Sequence, residues 1–347
     1  MPGAGSQDFR RANQFDLRDP RTTQWSLALE RDLGASTGLR LSYIGNRTTD
    51  IIVSPDVNQI RPNTQGYSAL INTRPFPDWN VVASRDNGAH SRYDGLQAAI
   101  TRRFSKGLTL DGSYSIGRQL SDAGGAVPGD FPGENGPSLL NTFRGPDDDY
   151  GPMPFTRRHR FVATFLYELP FGRGRTFGGS MGRSLDLLAG GWDLAGVVLA
   201  QSGPFLTPSF TGGDPSGTGA NVRGFTSTTR PDQVGEGNID NPTVDRFFDR
   251  SAFVIPANNI GRFGNAPVGS LIGPNTKVFS MTIGKNFSIA GSSRMRFDAA
   301  FSNLFNTENF GLPNRNVRSA QFGLITGTQT VDQAAPRTVQ FSLRYSF

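Results

Sequence analysis

The sequence predicts an all-β fold, an antiparallel transmembrane β-barrel, and three observations predict it. Segments of about ten residues alternate apolar and polar side chains, so each would have one oily and one wet face as a strand. The connections between them alternate between short and long. The composition suits strands and turns: 27 Phe, 43 Gly and 23 Pro in 347 residues.

Several classes drop out at once. No stretch approaches the roughly 20 apolar residues of a spanning helix, a criterion that leaves barrels untouched because their strands bury only alternate residues in lipid. With zero Cys there are no disulfides, no thiol chemistry and no Cys-based metal site, and two His leave little scope for a His-rich one. The formal charge is +6, but the arginines are dispersed instead of forming a basic block, so nucleic acid is not an expected partner. Met1 to Asp16 carries Arg10 and Arg11 with no apolar core, so it does not read as a signal peptide.

The elements follow in order. Thr22 to Leu33 sets Trp25, Leu27 and Leu29 against Gln24, Ser26, Ala28 and Glu30. After the turn Gly34-Ala35-Ser36, Thr37 to Arg47 carries Leu39, Leu41 and Tyr43 on its apolar face. Asp94 to Phe104 and Leu108 to Leu120 flank the turn Ser105-Lys106-Gly107. Arg158 to Leu169 lines up Phe161, Ala163, Phe165, Tyr167 and Leu169. A Gly- and Arg-rich connection leads to Gly191 to Ser202, with Trp192, Leu194 and Val198 in phase. Lys277 to Ile289 and Arg294 to Asn306 are joined at Ala290 to Ser292. The closing strand places Val339, Phe341, Leu343, Tyr345 and Phe347 on one face and Gln340, Ser342, Arg344 and Ser346 on the other.

This reading divides the chain into residues 1–21, an N-terminal loop or partial strand, and residues 22–347, a barrel portion with long loops at 48–93, 122–156, 204–275 and 307–335. If the last strand runs down to a periplasmic C-terminus, every long loop falls outside, as in outer-membrane barrels. The count of about nine strands is odd, whereas single-chain bacterial barrels have an even one and leave no edge open in lipid. Either Met1 to Pro20 hides a further strand, or the chain is the C-terminal part of a larger barrel; the second is the expectation. The predicted location is therefore the outer membrane of a Gram-negative cell, with its lipid as the first partner.

At this point the residues resemble a family. Trp25 to Gly34, Tyr93 to Gly107, Arg157 to Gly172 (RRHRFVATFLYELPFG), Gly190 to Phe205 (GGWDLAGVVLAQSGPF), Arg296 to Gly311 (RFDAAFSNLFNTENFG) and Phe341 to Phe347 resemble, in order, the C-terminal half of the barrel in TonB-dependent transporters of the Oar-like group. The resemblance implies about nine or ten strands of a barrel of about 22, filled by an N-terminal plug that is not recognisable here. It implies import of an unidentified ligand, coupling to the TonB complex where the plug is present, and no cofactor. Phe341, Leu343, Tyr345 and Phe347 match the C-terminal signal by which the assembly machinery recognises such barrels.

Other constellations yield less. Gly178-Gly179-Ser180-Met181-Gly182 fits a nucleophile elbow, but both His90 and His159 precede it, and it reads as a turn between strands. No catalytic set emerges, so an enzyme is not expected. Asp147-Asp148-Asp149 lacks the alternate spacing of a calcium loop and reads as solvated or paired with Arg144, Arg157, Arg158 or Arg160. The run Gly212 to Gly219 opens no helix and reads as a mobile surface loop. Glu30, Arg103, Asp111, Glu168, Asp193, Gln201, Asp298 and Arg344 are candidates to line a polar lumen, beside Arg40, Gln97 and Gln340. Tyr43, Phe104, Trp192, Phe287, Phe305 and Tyr345 suit interfacial girdles. The competing reading is a surface-exposed β-rich binding protein, an adhesin or carbohydrate-binding module whose long loops hold its partner.

Overall fold

The computed structural model describes residues 9–123, 141–143, 148–154, 156–219, 229–288, 293–330 and 334–347. The expected turn Ala290 to Ser292 lies outside the described residues, as do Asp147 and Arg144.

The wall is one continuous antiparallel path. In chain order its members are β2 (Arg21–Gly34), β3 (Thr37–Val53), β4 (Val81–Ser105), β5 (Leu108–Ser121), β7 (His159–Glu168), β8 (Trp192–Gln201), β13 (Thr276–Ser288), β14 (Arg294–Ser302) and β15 (Thr338–Ser346), each paired with its predecessor in this series. Two short strands lie off that path. β1 (Phe9–Asn13) runs parallel to the start of β4, pairing Phe9 with Val81, and β6 (Gly151–Pro152) adds to the end of β5. The N-terminal segment thus contributes a strand above the wall and does not lengthen it. β2 and β15 end the path without pairing to each other, so the sheet is open, and every residue of both edges is exposed.

Register fixes the two faces. Leu27, Tyr43, Leu96 and Ile116 are successive cross-strand neighbours, as are Phe165 and Leu110, then Met281, Phe301 and Val339. The neighbouring positions, Glu30 with Arg40 or Ser42 with Gln97, make the opposite, polar face. Large apolar side chains stay uncovered on the first face: Leu27 65%, Leu96 59% and Phe341 67%.

At one end the connections are tight. Ala35 and Ser36 take φ of 50° and 61°, and Lys106 and Gly107 take 52° and 83°, the paired positive φ values of two-residue hairpins whose twist matches the strands. Gly107 has a second reason, since a Cβ there would sit 2.8 Å from the Glu168 carbonyl oxygen.

The other end differs from the expectation. β3 and β4 continue past their predicted ends, to Val53 and from Val81, through irregular pairings between Thr48 and Ile52. A bulge breaks strict alternation at Thr48-Thr49-Asp50, with Asp50 at φ 58°, which hides the continuation from a period-two reading. The long connections also have their own core. Leu206, Phe248, Ala252, Phe253, Leu271, Val317 and Phe322 form a buried cluster, with Phe248 and Phe253 both packed on Phe322 at ring separations of 5.9 and 5.7 Å. Around it β9 (Phe205–Leu206) pairs with β12 (Leu271–Ile272), and β10 (Asp232–Gln233) with β11 (Phe253–Val254).

The stretch 212–219 is not a loose loop. Ser216 and Thr218 are fully buried. The Asp214 carboxylate accepts from the Ser216 hydroxyl and the Thr218 and Gly219 amides, at 2.8, 3.2 and 2.7 Å. Asn63, from the β3–β4 connection, donates to the Ser216 and Gly217 carbonyls at 2.8 Å each. An aspartate followed by small hydroxyl residues closes its own backbone ring, and here that ring locks two loops together.

Candidate functional site

A cavity of about 670 Å³ opens among these loops, within the size range of small-molecule sites. Its lining includes Asn141, Asp148, Tyr150, Arg230, Arg262 and Phe263. β5 and β6 carry the Tyr150 side of it, and the ring of Tyr150 stacks 4.9 Å from His90 on β4. His90 is held in turn: its Nδ1 lies 2.7 Å from the fully buried Asp122 carboxylate, which also accepts the His90 amide at 2.6 Å. A strand-borne dyad thus fixes one aromatic wall.

The opposite wall is built by ion pairs. Arg262 grips both oxygens of Asp232 at 2.7 Å, and the Asn265 amide adds a third donor at 3.0 Å. These bonds hold the Asp232 carboxyl below the usual carboxylate range. Arg230, 8% exposed at its side chain, donates to the Asp148 carbonyl at 2.6 Å and lies 3.4 Å from the buried Asp149 carboxylate. The predicted arginine pairing of this acidic run holds, with a partner the neighbouring arginines did not include: Arg230, 81 positions beyond Asp149. Sequence proximity could not find it, because the contact joins two long loops. Both cavity arginines have carboxylate partners, and Asp148 adds a further acid to the lining, so the site is polar. No cluster of three metal-ligating residues occurs among the described residues.

The proposed lumen residues are dispersed over the polar face, and the structure gathers two of them. Arg296 donates to both oxygens of Asp193, at 2.8 and 2.9 Å, and through Nε to Asp298 at 2.9 Å. Asn286 adds a bond to Asp193 at 3.0 Å. Sequence reading named the two acids and missed the arginine that joins them, although Arg296 and Asp298 are two apart and share a face. The rest stand apart. Glu30 lies 3.5 Å from Arg40, Glu168 2.9 Å from Arg175, and Gln201 3.4 Å from the Thr276 hydroxyl. Asp111 sits between Thr101 and Thr164, and Arg344 is opposite Arg296 on the edge strand. Arg103 falls in the irregular pairing between Arg102 and Ser105. Phe341, Leu343 and Tyr345 project from β15, and Phe347, 96% exposed, lies just past it. His159 opens β7 and Ser180 lies past the strand's other end, so they form no nucleophile and base pair.

A strand wall with one apolar face, a loop cap with its own core on one end and tight turns on the other defines a membrane-spanning barrel wall. The chain belongs to the outer membrane beta barrel domain family, which matches residues 3–340, and it is a protein of the Gram-negative outer membrane. No curated protein matches it by sequence. Among solved structures it is similar to the ferric preacinetobactin receptor BauA of Acinetobacter baumannii, with 13% identity over 94% of this chain and 29% of that one, TM-score 0.45. The pyoverdine outer membrane receptor FpvA of Pseudomonas aeruginosa aligns at 11% identity over 95% of this chain and 30% of that one, TM-score 0.45. The outer membrane transporter YddB of Escherichia coli aligns at 8% over 94% and 33%, TM-score 0.45. The chain spans about a third or less of the length of each of these three structures.

Proposed function

We propose that this chain supplies barrel wall and extracellular loops to an outer-membrane receptor of the TonB-dependent transporter type, and that its loop cap admits a ligand through the cavity beside Tyr150. The observation that carries the reading is the segregation of the wall's connections: the long loops, with a buried core of their own, join strands at one end, and the two-residue hairpins Ala35-Ser36 and Lys106-Gly107 join them at the other. In this reading the apolar face meets lipid and the polar face, with its Arg296 network, meets the interior. The open edges of β2 and β15 support a larger barrel, because unpaired backbone groups in hydrocarbon cost several kcal/mol each. Further strands would complete the ring.

The test is substitution by face. Phe165→Arg and Phe341→Arg should abolish the folded, heat-modifiable outer-membrane species, since arginine on the lipid face costs about 2–4 kcal/mol at mid-depth. Thr164→Arg, one position along and on the polar face, should leave it intact. Equal tolerance of all three would defeat the reading. A second reading, a surface binding module, draws on the loop cap's own core; it predicts a soluble folded chain that accepts Phe165→Arg.

A further inference from the structure

The connection from β7 to β8, residues 169–191, is out of character with its end of the wall. The β2–β3 and β4–β5 hairpins at that end turn in two residues. Apart from the single turn α1 (Tyr67–Leu70) of the β3–β4 connection, the only α-helix among the described residues is α2 (Arg183–Ala189), which this connection contains. Sequence reading made it a plain connection, because glycines at 178, 179, 182, 190 and 191 mask a helix of seven residues.

The helix is fastened to the apolar face of the wall. Trp192 and Lys285 are cross-strand partners on that face, next to Phe287. The Trp192 indole donates to the Leu188 carbonyl at 2.9 Å, and the Lys285 ammonium donates to the carbonyls of Leu188 and Gly190 at 3.1 and 2.6 Å. That ammonium lies 4.6 Å from the Trp192 ring centre and 5.1 Å from that of Phe287. A lysine on the lipid side thus discharges its donors into the unsatisfied C-terminal carbonyls of a helix, which removes the cost of leaving it bare. Beyond this anchor apolar side chains stand uncovered: Leu185 56%, Leu187 42%, Leu188 73%, Phe171 46% and Phe177 55%. The same stretch holds three arginines, at 173, 175 and 183, and one aspartate, Asp186; Arg175 pairs with Glu168 at 2.9 Å, and Arg173 and Arg183 are exposed.

We propose that α2 and the Phe171/Phe177 pair form an interfacial anchor, lying in the phospholipid headgroup layer at the short-turn end of the barrel, with the leucines in the acyl boundary and Arg173 and Arg183 toward lipid phosphates. The inference rests on the reading that the apolar face meets lipid. What favours lipid over a protein partner is continuity: the anchor hangs from the face on which Leu194, Ile283 and Phe165 already lie, and its aromatic, leucine and arginine content is that of an interfacial segment.

The chain itself has zero cysteines, so once any cysteine elsewhere in the protein is replaced, single-site labels report cleanly. Fluorescent labels at Leu188→Cys and Leu185→Cys are measured in the whole outer-membrane protein, reconstituted in bilayers of phosphatidylglycerol and brominated phosphatidylcholine. Phe165→Cys marks the lipid face and Thr243→Cys, in the loop cap, marks water. The expected result is quenching at both helix sites by brominated lipid to within about twofold of Phe165→Cys, with little quenching by aqueous iodide. Helix labels quenched by iodide as strongly as Thr243→Cys, beside a lipid-quenched Phe165→Cys, would overturn the anchor and leave the barrel reading standing. An unquenched Phe165→Cys would overturn both.

Discussion

Arg296 bridges across the wall, because it pairs with two carboxylates, Asp298 on its own strand β14 and Asp193 two strands away on β8. Asp193 is 5% exposed, so removing its partner strands a buried charge. Arg296→Met should lower stability by about 2–3 kcal/mol, read as a drop in the temperature at which the folded band is lost on a gel, the half-exposed arginine moderating the full buried-pair cost. Adding Asp193→Asn should recover part of it. Asp232 offers a pH test in the cap. Its folded value is depressed below the ordinary 3.8 by Arg262, so its stabilisation is complete above that value and is lost as pH falls through the depressed one. Proteolytic nicking of 229–268 should therefore rise only well into acid, and Asp232→Asn should raise it already at neutral pH.

Among the elements, the nine wall strands were readable in the sequence because a half-buried strand writes its burial every second residue. The expected strand Arg294 to Asn306 overran its end: β14 stops at Ser302, because Asn303 and Asn306 each take φ of 51° and turn the chain, and Asn306 accepts the Arg337 amide, pinning both ends of the last loop. The loop cap was not readable. Its core is assembled from residues 206 to 322 with no period, and only the contacts between loops define it. The same limit hid the pairing of Asp149 with Arg230 and the burial of Ser216 and Thr218. Cap and wall should accordingly separate in experiment. Phe248, 1% exposed, fills the centre of the cap, and Phe248→Ala should cost it about 3–5 kcal/mol. Limited proteolysis should then cut within 204–275 while the strands keep their heat-modifiable migration; simultaneous loss of both would mean one cooperative unit.

At the scale of the whole molecule, the wall is the part that membrane physics governs. Nine strands in one hydrogen-bonded path satisfy their backbones except at β2 and β15, and the two ends of that path carry different chemistry. Folded loops with a polar cavity crown one end; tight hairpins and the α2 connection close the other. The central claim is that these ends lie on opposite sides of one membrane, and labelling with a membrane-impermeant maleimide tests it most directly. Thr243→Cys should react in intact cells. Gly174→Cys, in the β7–β8 connection, should react only after the outer membrane is permeabilised. Reaction of both sites, or of Gly174→Cys alone, in intact cells would contradict the account.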